Sequence, residues 1–158
     1  MLSARRSTGC RAVAAAEPTQ AAPVSDRDRL TLAIAALAVV GLAIAGYLTY
    51  VHYSDIEPVC TTGGCAKVQG SEYAELGGVP VALIGLLGYV SILVSLAIPG
   101  ETGRAATALM ALVGFGYSAY LTYLELSVID AICQWCVGSA IVMTAIAAVA
   151  VVRLLRAP

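Results

Sequence analysis

The chain has 158 residues, of which 59% are hydrophobic and 12% charged, with a formal net charge of −1 and a mean hydropathy of +0.86. That composition falls outside the range of soluble globular domains and points to an integral membrane protein. The net charge by itself says little, and no nucleic-acid partner is expected.

Residues 1–29 are rich in Ala, Arg, Ser and Pro and contain no apolar run, so they read as a disordered cytoplasmic tail. Cys10 follows Ser-Thr-Gly with no hydrophobic stretch before it, and reads as an unpaired thiol in a reducing compartment. Residues 30–51 then run without a charged residue. The run is too long for the core of a cleavable signal peptide and has no convincing cleavage site after it, so it is a retained span. The loop over 53–78 carries Pro58, several glycines and the charged residues Asp55, Glu57, Lys67, Glu72 and Glu75. Within it lie Cys60 and Cys65, flanked by glycines that allow the pair to move. The stretch Ser71-Glu72-Tyr73-Ala74-Glu75 reads as a short interfacial helix with Ser71 as its N-cap.

Apolar runs follow at 79–98 and 105–124, and a last one at 131–152 opens on Cys133-Gln134-Trp135-Cys136. The connection before it, 127–132, is short, so this second pair is held at a helix start. At 1.5 Å per residue, a run of about 20 residues spans a hydrocarbon core of roughly 30 Å. Backbone groups in lipid must pair within the segment, which makes each run a helix. The expected fold is an all-α membrane protein with four transmembrane helices, at about 30–52, 79–98, 105–125 and 131–152, after the 1–29 tail.

The basic residues orient the bundle. Arg5, Arg6, Arg11, Arg27, Arg29, Arg104, Arg153 and Arg156 all fall on one side if the N-terminus is cytoplasmic, and only Lys67 falls on the other. The positive-inside rule then puts both termini in the cytoplasm and both cysteine pairs on the extracytoplasmic face, where disulfides persist.

An internal duplication links the two pairs. Tyr47-Leu48-Thr49-Tyr50 recurs as Tyr120-Leu121-Thr122-Tyr123, and each copy places a cysteine, Cys60 or Cys133, thirteen residues after its first Tyr. Both copies run in the same direction, as expected for a parallel repeat. Tyr47, Tyr50 and Tyr53, with Tyr117, Tyr120 and Tyr123, gather at outer helix ends. They read as an aromatic belt, with the sharper alternative that some line a pocket for a ring-shaped ligand. His52 and Glu125, at equivalent repeat positions, read as interfacial polar residues.

Two dithiols on one membrane face can pass an electron pair from a water-soluble thiol to a lipid-soluble acceptor. A Cys-x-x-Cys at a helix N-terminus favours the thiolate, the reactive form. Cys136 lies one turn deeper than Cys133, nearer a partner in lipid. Three other readings compete. A zinc site would place ligands in a membrane helix and lacks knuckle spacing, and no metal is expected. Two structural disulfides need no turnover. A carrier of reducing equivalents needs thiols reachable from both faces.

The order Cys60-x4-Cys65, Ser71, Gly78-Val79-Pro80 and Cys133-x-x-Cys136 resembles the vitamin K epoxide reductase family over essentially the whole membrane core, residues 30–156. A spaced pair first and Cys-x-x-Cys last distinguishes it from DsbB-type oxidases. The resemblance implies a four-helix bundle around a quinone, menaquinone or ubiquinone, capped by the outer loop and a short half-helix. It makes Cys60 the outermost thiol, Cys65 the shuttle to Cys133, and Cys136 the thiol that meets the quinone. Ser71 is the loop hydroxyl beside that site, and Tyr117 and Tyr120 are candidate pocket residues.

Where vertebrate epoxide-reducing members carry Asn and Tyr, this chain has Ala74 and Ala140, which argues against specialised epoxide reduction. No fused thioredoxin-like domain is expected after the last span, and the resemblance then implies a separate DsbA-like thioredoxin-fold partner. The expected function is a quinone-dependent thiol-disulfide oxidoreductase that reoxidises this partner for disulfide formation in exported proteins. The alternatives are a vitamin K, quinone or epoxide reductase, and a non-enzymatic membrane redox sensor.

Overall fold

The computed structural model describes residues 26–61 and 63–156, apart from the side chain of Arg27. Of the expected tail, residues 1–25, Cys10 among them, lie outside the described residues, and residues 26–29 are already helical. Helix α1 is Asp26–Tyr53, with Asp26 and Asp28 in its first turn, where acidic groups complement the helix dipole. A short helix α2, Cys65–Gln69, and a 3-10 turn, Glu72–Ala74, cross the outer end. Then come α3, Val81–Ala97, α4, Gly100–Leu124, and α5, Gln134–Leu155. Helix α1 packs on α3 and α5, and α4 packs on the same two, so the four principal helices close a ring.

Small side chains set the core of that ring. Ala38, Ala108, Ala111 and Ala150 are buried beside Ile34, Tyr89, Ile92 and Ile146. Between helices surrounded by lipid there is little hydrophobic drive, so association relies on the close backbone approach that such residues permit. Two buried polar contacts join neighbouring helices. The Ser95 and Thr107 hydroxyls lie 2.8 Å apart, and the Tyr89 hydroxyl donates to the Ser139 carbonyl at 3.1 Å. Left unpaired in hydrocarbon, each would cost several kcal/mol.

Three helical segments, Asp28–Tyr53, Gly100–Ile129 and Gln134–Leu155, are long and apolar enough to cross a membrane, and Val81–Ala97 is a shorter apolar helix. That second segment begins later than the expected 79–98 because Val79 and Pro80 form a strand, β2. It pairs antiparallel with β1, Glu75–Leu76, in the register Glu75↔Pro80 and Leu76↔Val79. Gly77 and Gly78 have φ of +62° and +83°, the two positive values that a tight hairpin turn demands. The hairpin draws the first residues of the apolar run out of the helix.

Two local expectations change. Ser71 does precede a one-turn helix, but that helix covers only Glu72–Ala74, and its hydroxyl makes no capping bond. It donates instead to the Val68 carbonyl at 2.8 Å, tying the turn back to α2. At the end of α4 the chain winds into a π turn, Glu125–Ile129, which ends on Asp130 in the left-handed region. This turn occupies much of the connection expected at 127–132 and carries Glu125 inward.

A candidate dithiol site beside a buried cavity

The four cysteines of the two pairs meet at the outer end of the bundle. Cys60 and Cys65 form a disulfide, with Cα atoms 6.0 Å apart, and Cys133 and Cys136 are free thiols. Cys65 and Cys133, both 0% exposed, form one apolar cluster with Val68, and Cys60, Ile129, Ala131, Trp135 and Cys136 pack against it. The loop pair therefore sits on the helix pair. Glycines beside Cys65 suggested a mobile pair, yet Gly64 also lets the loop backbone touch that of Ile132, next to Cys133.

The two residues between Cys133 and Cys136 fasten this arrangement. The Gln134 side-chain carbonyl accepts from the Thr61 backbone N–H at 3.1 Å and from the Thr61 hydroxyl. Its amide donates to the Val59 carbonyl at 3.3 Å. The Trp135 indole N–H donates to the same carbonyl at 2.8 Å, and its ring lies 4.9 Å from that of Tyr47. The Tyr47 hydroxyl accepts the Val59 N–H at 3.0 Å. Both neighbours of Cys60 on either side are thus held by the Cys-x-x-Cys segment or by Tyr47. Farther along the cap, His52 Nε2 lies 3.4 Å from Glu75 Oε1.

Cys133 is the N-cap of α5, and Cys136, one turn in, lines a cavity of about 440 Å³ between the principal helices and the cap. Ser71, Tyr117, Tyr89, Gln69 and Glu125 also line it, among mostly aliphatic neighbours, and Ala74 and Ala140 present methyl groups to it. Its size and its few polar groups suit a small amphipathic ligand. Gln69 Nε2 points at Cys136 Sγ from 3.9 Å.

Among the tyrosines, Tyr117 reaches the cavity. Tyr120 does not line it: it is 53% exposed, although its ring is 6.5 Å from that of Tyr117. Tyr50, Tyr53 and Tyr123 are exposed as belt residues are. Tyr47, the repeat partner of Tyr120, turns inward to hold the loop.

Glu125 departs most from its expected place. Far from being interfacial, it is 4% exposed. Its carboxylate accepts the Cys133 N–H at 3.1 Å, and it lines the cavity together with Cys136. The signal for it was in the sequence: like Asp130 before the run at 131, it is an acidic residue joined directly to the outer end of an apolar run, and an ionisable group at membrane depth marks function by default. Gln69 and Gln134 had no such signal, since uncharged amides near a loop are unremarkable in composition. Residues 32–151, which contain all four paired cysteines, match the model of the vitamin K epoxide reductase family.

Proposed function

The chain belongs to the vitamin K epoxide reductase family, whose members are oxidoreductases, and we propose that it is a quinone-dependent oxidase of a separate DsbA-like thioredoxin-fold protein. The observation that carries this reading is the joint placement of the pairs. The Cys60–Cys65 disulfide packs on buried Cys133, and Cys136 opens onto an apolar cavity.

The chemistry follows from thiol–disulfide exchange, in which a thiolate attacks a sulfur and expels another thiolate. A thiolate of the reduced partner attacks Cys60 Sγ, and Cys65 leaves. The partner's second thiolate then releases the partner as a disulfide and leaves Cys60 and Cys65 reduced. The Cys65 thiolate attacks Cys133 in a Cys133–Cys136 disulfide and expels Cys136. Cys60 resolves the Cys65–Cys133 bond, which restores the loop disulfide and leaves Cys133 and Cys136 reduced, as thiolates. Disulfide at 60–65 with free thiols at 133 and 136 is the redox state of the described structure.

A bound quinone supplies a two-electron sink. The cavity residues fit such a ring: aliphatic walls hold its faces, while Gln69, Ser71, Tyr117 and Glu125 are the polar groups available to its edge. Ser71 already donates to Val68, so its remaining role there is as an acceptor. Ala74 and Ala140 place no hydrogen-bonding side chain at the two positions where epoxide-reducing relatives carry one, which favours the oxidase over the epoxide reductase. In this reading the cysteine pairs and the outer groove face the extracytoplasmic side.

The test uses Cys133→Ala and Cys136→Ala proteins purified with a short-chain quinone. Without Cys133, Cys136 has no disulfide to close and stays against the ring. A visible charge-transfer absorption or a covalent adduct mass is expected for Cys133→Ala and not for Cys136→Ala, and both should lose turnover with a reduced thioredoxin-fold donor. Native-rate quinone reduction by Cys136→Ala would reject this assignment and point to a site built from the loop pair alone.

A further inference from the structure

Thiol–disulfide exchange moves electrons inward as thiolates and leaves their protons at the outer face, whereas reduction of a quinone-class acceptor consumes two protons inside the cavity. A route for protons is therefore required wherever that cavity is walled by apolar groups. Two hollows meet the cysteine cluster. One is the cavity lined by Cys136. The other is an open outer groove bordered by Gly64, Lys67, Asp130 and Ile132. Among the described residues, Glu125 alone lines both. Its side chain is buried between them, accepts the Cys133 N–H, and lines the same cavity as Cys136.

We propose that Glu125 carries protons from the outer groove into the cavity during each turnover. This rests on the quinone-oxidase reading given above. The protonated carboxyl of Glu125 delivers a proton at the Cys136 end of the cavity, and the resulting carboxylate is reprotonated by water in the groove. Two such transfers accompany the two electrons released as the Cys133 and Cys136 thiolates close their disulfide. The two protons shed by the donor dithiol at the outer face balance them, so the net change is donor dithiol plus quinone to donor disulfide plus quinol. The π turn gives this role its geometry, because it swings the residue after Leu124 toward the start of α5.

The titratable groups that share Glu125's surroundings are Cys133 and Cys136 on α5, Lys67 and Asp130 on the groove, and Tyr73, Tyr89 and Tyr117 on the cavity. Any pH profile is read against these. The decisive variant is Glu125→Gln, whose side-chain carbonyl can still accept the Cys133 N–H but cannot carry a proton. Glu125→Asp keeps the carboxyl on a shorter arm.

The experiment uses the full chain in lipid nanodiscs, with dithiothreitol as donor and a short-chain quinone as acceptor. Turnover is expected to fall about a hundredfold in Glu125→Gln, in the range for losing a positioned acid–base group, and to be largely kept in Glu125→Asp. Independently of quinone, the infrared carboxyl band should respond when the dithiol is oxidised with diamide, and that response should vanish in Glu125→Gln. Glu125→Gln turnover within twofold of native, or a native carboxyl band indifferent to dithiol oxidation, would overturn the proposal. If the native protein reduces no quinone, the oxidase reading fails by itself, and the proton route with it, whatever the infrared result. Should Glu125→Gln fail to fold, Glu125→Asp turnover and the native infrared response still decide the matter.

Discussion

The backbone of Gly64 rests on the backbone of Ile132. A Cβ built at Gly64 would lie 2.5 Å from the Ile132 carbonyl oxygen and 2.8 Å from its nitrogen. Gly64 has φ −89° and ψ −12°, a conformation open to any residue, so the restriction is contact and not backbone strain. Since Gly64 precedes Cys65 and Ile132 precedes Cys133, this contact sets how closely the two pairs approach.

Gly64→Ala is therefore expected to lift the loop pair from the helix pair. Misplacement of reacting groups by about 1 Å can cost on the order of a hundredfold in rate. Electron transfer from the loop pair to Cys133 should fall by about that factor, while direct reduction of the Cys133–Cys136 disulfide by a small thiol stays near native. Stopped-flow measurement of both steps separates them. Equal losses in the two would place the damage elsewhere.

Gln134→Ala removes three hydrogen bonds to Val59 and Thr61. Each net bond is worth roughly 1 kcal/mol, and partial replacement by water at this exposed site reduces the total. The segment around Cys60 should exchange amide hydrogens at least tenfold faster, with little change in the melting temperature of the bundle. Hydrogen exchange read by mass spectrometry at residues 59–61 checks it. Unchanged protection there would mean that Trp135 and Tyr47 suffice to hold the loop.

Cys60→Ala leaves Cys65 without its resolving partner. Because Cys65 and Cys133 share one buried cluster, a stable Cys65–Cys133 disulfide is expected to accumulate. Non-reducing digestion and mass spectrometry should find the loop peptide joined to the α5 peptide. A variant that never contains this species would leave the relay without its middle step.

Tyr89→Phe removes the hydroxyl that α3 offers to Ser139 of α5. The ring remains, so the expected cost is about 1–3 kcal/mol, from the lost bond and the unpaired group left behind. Thermal unfolding in detergent measures it. No loss of stability would show that Ser139 finds another partner in the same helix.

The orientation argued from the arginines predicts labelling from outside. A membrane-impermeant thiol reagent applied to intact cells after reduction should reach Cys60 and spare Cys10. Labelling of Cys10 with Cys60 protected would invert the topology.

Much of this molecule was legible without coordinates, and the reason is the solvent. Lipid forces every spanning backbone to satisfy itself, so runs of apolar residues at 30–51, 105–124 and 131–152 could become little other than helices, as α1, α4 and α5 are. Cysteine spacing likewise marked two dithiols, because a dithiol's chemistry depends on residues close in the chain. Other features depended on contacts between distant segments and left no local trace. Gln134 lies 73 residues from Thr61, and nothing in either tripeptide says that they meet. The repeat set His52 and Glu125 as equivalents, yet a π turn buries one against Cys133 while the other faces Glu75 across the cap. Sequence by itself determined which residues could react and in which solvent their helices lie. Only packing decided which of them touch, because contact between distant segments is fixed by the closing of the bundle and not by any periodicity along the chain.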